Sequence, residues 1–184
     1  METDNQIITQ IHAGKPQAFA LLYEKYVDKI YAFIYYKTHH KQTAEDITSF
    51  TFTKALENIH QFKPHKGSFQ AWLYQIARNN VNDFYRNHHF SKSIEDAWDI
   101  ATTEDIERDV DLRNQLAEIK QGLQQLSSSQ RDIVILRVWQ NLSYAEIAAI
   151  TGKSVNACKM DFSRATHSLR KEFQLAILLF FLLH

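Results

Sequence analysis

Asn156, Lys159, Ser163, Arg164, His167 and Arg170 recur at spacings that put them on one side of a helix. Amide and hydroxyl groups can bond base edges, and basic groups can hold phosphates. The opposite side carries Val155, Cys158, Phe162, Ala165 and Leu169 at steps of 3, 4, 3 and 4 residues. Just upstream, Ser143 and Glu146 form the pattern of a capping box, opening a short helix over Tyr144–Ile150. Gly152 can take the positive φ of a tight turn, and Ser154 can cap the next helix. The whole reads as a helix-turn-helix. A small helical hairpin with a solvated outer face shares this pattern, and the stretch by itself leaves both open.

A second set lies upstream. Trp72, Tyr74, Phe84 and Tyr85 interleave with Gln75, Arg78, Asn79, Asn82, Arg86 and Asn87. Rings stack on unpaired bases, amides read exposed edges and guanidinium holds the backbone. An amphipathic helix with ordinary core aromatics is the simpler reading of this segment alone.

The elements that must position these groups are helical. The chain has 184 residues with only four glycines and two prolines, and alternating β-branched patterning is scarce. We expect an all-α fold of two small helical domains, at 1–90 and 112–172, joined by an acidic linker over 91–111. In the first, Asp4–Ala13 should form a short helix that Gly14 and Pro16 end. The next carries Phe19, Leu22, Tyr26, Ile30, Phe33 and Ile34 inward, to about His40. Thr43 should cap a third, with Glu45 and Asp46 in its first turn and Ile47, Thr51, Ala55 and Ile59 inward. Residues 62–68 have loop chemistry. Ser68 should cap a fourth helix with Phe69, Trp72, Leu73, Ile76, Ala77, Val81 and Phe84 inward. Helix returns at Leu112, Leu116, Ile119, Leu123 and Leu126, then over Ser129–Gln140.

Charge is balanced overall, with 21 basic and 21 acidic residues. It is not evenly spread. Residues 1–92 carry 11 basic and 8 acidic, 93–112 carry 1 and 8, and 113–184 carry 9 and 5. Two mildly basic blocks therefore flank an acidic one. So small a surplus yields little phosphate-driven affinity, so a larger partner should supply most of it. The single cysteine, Cys158, excludes an internal disulfide framework and reads as a small buried hydrophobe. Met1–Asn5 is polar, with no apolar signal-like run after it, so a cytoplasmic protein is expected. Nine histidines invite a metal. The pairs His39–His40 and His88–His89 sit side by side, not one helical turn apart, and no metal or other cofactor is expected. No phosphate loop or nucleophile triad is present, and an enzyme is not expected.

Six short runs carry a resemblance. Ala44-Glu-Asp-Ile-Thr-Ser49 with Phe52-Thr-Lys54-Ala-Leu56, and Gly67-Ser-Phe69-Gln-Ala-Trp72-Leu-Tyr-Gln-Ile76-Ala-Arg-Asn79, resemble region 2 of the bacterial sigma-70 family. Leu126-Ser-Ser-Ser-Gln130-Arg-Asp-Ile-Val134, with Leu142-Ser-Tyr144-Ala-Glu-Ile-Ala148 and Gly152-Lys-Ser154-Val, resembles its region 4. The order, without a middle domain, is similar to the extracytoplasmic-function (group IV) type. The resemblance implies an initiation subunit of RNA polymerase. It implies docking on the β′ coiled coil through Asp46, Ser49, Phe50, Thr53 and Lys54. It implies opening of the −10 element and capture of a flipped base by Phe62, Lys63, His65, Lys66, Ser68, Tyr74, Gln75, Arg78, Asn79, Asn82 and Arg86. Reading of the −35 duplex would fall to Ser154, Asn156, Lys159, Ser163, Arg164 and His167. Region 4 would also meet the β flap, and an anti-sigma factor would be a further partner.

The chain departs from that pattern at two places. Phe50 stands where the family usually has a carboxylate, and either meets a matching apolar pocket or packs on a neighbouring helix or an inhibitor. Met160-Asp161 stands where a Ser-Arg pair is usual, and a carboxylate repels phosphate. A third oddity is the tail, with nine apolar residues over 175–183. A bilayer span takes about 20 residues, so membrane contact is not expected. The tail should instead pack on the chain's own domains, or on polymerase or a regulator. Two other functions stay in view. One is a sigma-like interaction protein that binds polymerase or an anti-sigma factor but initiates poorly. The other is a helix-turn-helix repressor, for which a strand-opening helix would have no use.

Overall fold

The structure is a computed structural model that describes residues 2–88 and 121–172. Every regular element among the described residues is helical. The chain forms two compact units, Met1–Ala101 and Thr102–His184. The all-α, two-domain architecture expected from the sequence is the one observed. The expected linker over 91–111, the core positions Leu112, Leu116 and Ile119, and the tail over 173–184 lie outside the described residues.

In the first unit, α1 (Asp4–His12) starts from Thr3, whose side chain accepts from the Gln6 amide while Gln6 reaches back to the Thr3 amide. It buries Ile7, Ile8 and Ile11. Lys25 and Tyr26 both donate to the Asp4 carboxylate, at 2.6 and 2.5 Å, and tie this helix to α2 (Phe19–Thr38). Pro16 opens a short 3-10 turn ahead of α2, where its missing N–H costs nothing. His39 ends α2 in the left-handed region (φ 49°).

That break shifts the next helix start. α3 (Lys41–Asn58) is capped by His40, whose Nδ1 accepts from the Thr43 amide at 3.2 Å. The expected Thr43 cap is therefore corrected by three residues, and Glu45 and Asp46 fall in the second turn. Ile47, Thr51, Ala55 and Ile59 are buried as expected. α4 (Phe69–His88) packs against both α2 and α3. Leu22, Ile30, Phe33, Ile34, Phe69, Leu73 and Tyr74 are fully buried between them. Each such side chain stabilises the unit by about 1.5–3 kcal/mol. Three polar side chains between α3 and α4 bond in a chain. Lys54 donates to Asn80 Oδ1 (2.9 Å), Asn80 donates to Thr51 Oγ1 (3.0 Å), and the Thr51 hydroxyl donates to the Ile47 carbonyl (2.7 Å).

The second unit is described from a helical turn over 121–125. Arg131 donates to the carbonyls of Leu123, Gln124 and Leu126 at the end of that turn. α5 (Ser128–Val134) is opened by a Ser127–Gln130 capping box and widens into a π turn over Ile135–Trp139. α6 (Tyr144–Thr151) and α7 (Val155–Glu172) follow. The core joins Leu123, Leu126, Val134, Ala165 and Leu169, with Val138, Trp139 and Phe162 at its edge.

Candidate nucleic-acid interface

The helix-turn-helix forms from the residues that the sequence singled out. The Ser143 Oγ accepts from the Glu146 amide (3.3 Å), and Glu146 Oε2 accepts from the Ser143 amide (2.9 Å). Gly152 takes φ 72°, and its N–H donates to the Ala148 carbonyl. Ser154 Oγ accepts from the Ala157 amide at 3.1 Å, so this hydroxyl serves as the cap of α7. Cys158, Ala165 and Leu169 are buried and Phe162 half-buried, which fixes the outward face. Val155 departs from the expected stripe: at the first turn it has no helix over it and stays exposed.

Asn156, Lys159, Ser163, Arg164 and His167 are all exposed along α7. Met160 stands among them and is 53% exposed. Asp161 is turned to the side of the helix, where Lys153 meets it at 2.5 Å. Its charge is paired within the chain.

The first unit offers two surfaces. On α3, Asp46, Ser49, Phe50 and Thr53 are exposed. Phe50 is 51% exposed, and the Lys54 ammonium lies over its ring, 4.6 Å from the centroid. Lys54 is half-buried, held by Phe50 on one side and Asn80 on the other. The Thr53 hydroxyl donates back to the Ser49 carbonyl.

The second surface runs from the loop onto α4. Lys63, His65 and Lys66 are exposed, and Ser68 Oγ caps α4 by accepting from the Ala71 amide at 3.2 Å. Gln75, Asn79 and Arg86 are exposed and Arg78 and Asn82 half-buried, one stripe along the helix. Arg86 pairs with Asp83 at 3.0 Å.

Two expected DNA contacts are corrected. Tyr74 is fully buried, edge-on to Phe33 with centroids 5.3 Å apart, and burial pushes its phenol well above the ordinary 10.0. Phe62 is 6% exposed, packed on Phe69 and Trp72. Both rings are core residues that hold the loop and the helix in place. The aromatic that the sequence reading placed inward, Trp72, is instead half-buried. It lies three residues from Gln75 and seven from Asn79, hence on their stripe. That spacing was present in the sequence, and the run of aromatics around it hid it.

Among the described residues, no group of three or more His, Cys, Asp or Glu side chains could hold a metal ion. Nor is any described helix long and apolar enough to cross a membrane.

The family models for sigma-70 region 2 and sigma-70 region 4 match residues 22–90 and 116–166. The chain is 33% identical over 154 residues to the RNA polymerase sigma factor YlaC of Bacillus subtilis, covering 82% of this chain and 88% of that protein. It is 34% identical over 172 residues to the ECF RNA polymerase sigma factor BldN of Streptomyces coelicolor, covering 90% of this chain and 64% of BldN. Among solved structures, the sigma factor RpoE of Bartonella quintana, in complex with the anti-sigma factor NepR, superposes with TM-score 0.67 and 25% identity. That match covers 85% of this chain and 97% of RpoE. CnrH, solved with the cytosolic domain of CnrY, shares the fold with TM-score 0.72 and 24% identity, over 92% of this chain and 96% of CnrH. With region 2 and region 4 each matched in order on its own helical unit, the chain belongs to the extracytoplasmic-function branch of the sigma-70 family of RNA polymerase sigma factors.

Proposed function

We propose that this sigma factor docks on core polymerase through the α3 face, with Asp46, Ser49, Phe50, Thr53 and Lys54 as contacts. Phe50 and the aliphatic stem of Lys54 give that face an apolar centre, suited to a β′ surface with a matching recess. The loop and the α4 stripe hold the opened −10 strand: Lys63, His65 and Lys66 meet its phosphates. Trp72, Gln75, Arg78, Asn79, Asn82 and Arg86 meet its bases and backbone. The exposed face of α7 reads the −35 duplex, and region 4 meets the β flap. The polymerase performs the chemistry; the factor only selects where it begins, in the cytoplasm. Anti-sigma complexes of related factors make a protein inhibitor of this kind a proposed partner here as well.

One observation carries this reading. A basic loop leads directly into a helix with a stripe of exposed and half-buried amides, guanidinium groups and an indole. A protein that reads only duplex DNA has no use for that surface. Transcription by purified core polymerase on a promoter library, with and without the full chain, tests it. Discrete new start sites are expected. Binding to core without start sites above the core background would leave only a sigma-like interaction protein.

A further inference from the structure

We propose that Met160 reads a thymine methyl group in the major groove of the −35 duplex, making it a specificity-determining residue of this factor. The proposal rests on the duplex-reading role given to α7 above. Met160 is the most exposed large apolar side chain among the described residues, at 53%. Single exposed apolar groups are ordinary on protein surfaces. The position of this one is not. It follows Asn156 by four residues and precedes Ser163, Arg164 and His167 by three, four and seven, all exposed. It therefore sits in the middle of the outward stripe, with hydrogen-bonding and basic groups on every side.

That surround selects the occupant. Basic groups at the edge of a helix draw it toward phosphates, and amide and hydroxyl groups bond base edges. A helix so placed brings the residues of its N-terminal half to the base edges, and Met160 is the sixth residue of α7. The one apolar group that the groove floor offers is the C5-methyl of thymine. A thioether on an unbranched chain adapts to such a group without a fixed shape. A second protein would bury the same methionine only by desolvating the polar groups around it. Asp161, one residue on, does not interfere, because Lys153 holds it off the stripe at 2.5 Å.

The test uses holoenzyme assembled from the full chain and core polymerase. Its preferred −35 sequence is selected from duplexes randomised at that element. Each thymine is then replaced by deoxyuridine, which removes the methyl and keeps the base pair. One replacement should weaken binding about fourfold, the value of one methyl group withdrawn from water. Met160→Ala should bind the thymine and deoxyuridine duplexes equally, and Met160→Leu should restore the difference. The residue is exposed, so neither variant threatens folding. A preferred sequence without thymine, or one whose replacements affect Met160→Ala as they affect the parent, overturns the role of Met160 and leaves the duplex reading intact. No preferred sequence at all overturns both.

Discussion

α4 and α7 both present polar side chains to nucleic acid in the proposed function, yet they are built on opposite terms. α4 lies against α2 and α3 and buries Phe69, Ala71, Leu73, Tyr74, Ala77, Asn80 and Val81. Its exposed positions shrink to Gln75, Asn79, Arg86 and Asn87, with Trp72, Arg78 and Asn82 among those half sunk beside them. α7 buries only Cys158, Ala165 and Leu169 and leaves most of its surface open. A narrow stripe on a helix backed by large rings is carried on fixed backbone, which suits holding a flexible, unpaired strand at low entropic cost. A broad open arc suits a groove that is itself rigid and touches the helix along two edges.

The contrast can be broken first at Tyr74. Tyr74→Ala should cost about 3–5 kcal/mol, the cost of removing a large core ring. Denaturant unfolding of the full chain, followed by probes in the first unit, reads this. Substituting exposed Asn79 by Ala should leave that midpoint unmoved. The same ring gives a pH limit. Its phenol is held neutral by burial, whereas an unfolded tyrosine ionises near 10.0. The contribution of Tyr74 to stability is thus complete below pH 10 and falls as pH rises beyond it, and Tyr74→Phe should flatten that part of the profile.

Trp72→Ala should weaken capture of the opened strand by about 1–3 kcal/mol, the value of one stacked base. Holoenzyme binding to a single-stranded −10 oligonucleotide measures it, and binding to −35 duplex should be unchanged. Gly152→Ala has no steric obstacle, since nothing lies within 4 Å of the added methyl. The cost is the left-handed backbone, about 1–2 kcal/mol, read as lost amide protection in α6 and α7 while α4 is unaffected. Smallest is Lys153→Ala. The ion pair is partly exposed and is worth less than about 1 kcal/mol to stability. Its loss frees the Asp161 carboxylate, so −35 binding should weaken and −10 binding should not.

The helix-turn-helix was legible almost residue by residue, because its determinants are local. Ser143 with Glu146, the left-handed Gly152 and the Ser154 cap each act within a few residues of chain. Tyr74 was read outward and is buried, and Trp72 was read inward and is half-buried, because burial there depends on where α2 and α3 lie. An aromatic side chain two residues from another looks equally fit for core or surface until a neighbouring helix supplies Phe33. The α3 start was misread for a related reason. Thr43 is the better cap by type, but the left-handed turn at His39 brought the His40 ring to the amide first. Lys153 and Asp161, eight residues apart across a turn, were charges with no visible relation until the turn was folded.

The bonds running from Lys54 through Asn80 and Thr51 to the Ile47 carbonyl have a mechanical meaning. Two helices joined only by apolar contact can slide a fraction of a turn and repack. Two helices joined by directional bonds cannot, since each bond tolerates only a few tenths of an ångström before a buried polar group is stranded. α3 and α4 are therefore pinned in register. Lys54 stands at the rim of the face proposed for polymerase, and Asn80 adjoins Asn79 on the stripe proposed to hold the strand. On that proposal, seating the factor on the enzyme would set the angle at which the stripe meets the DNA.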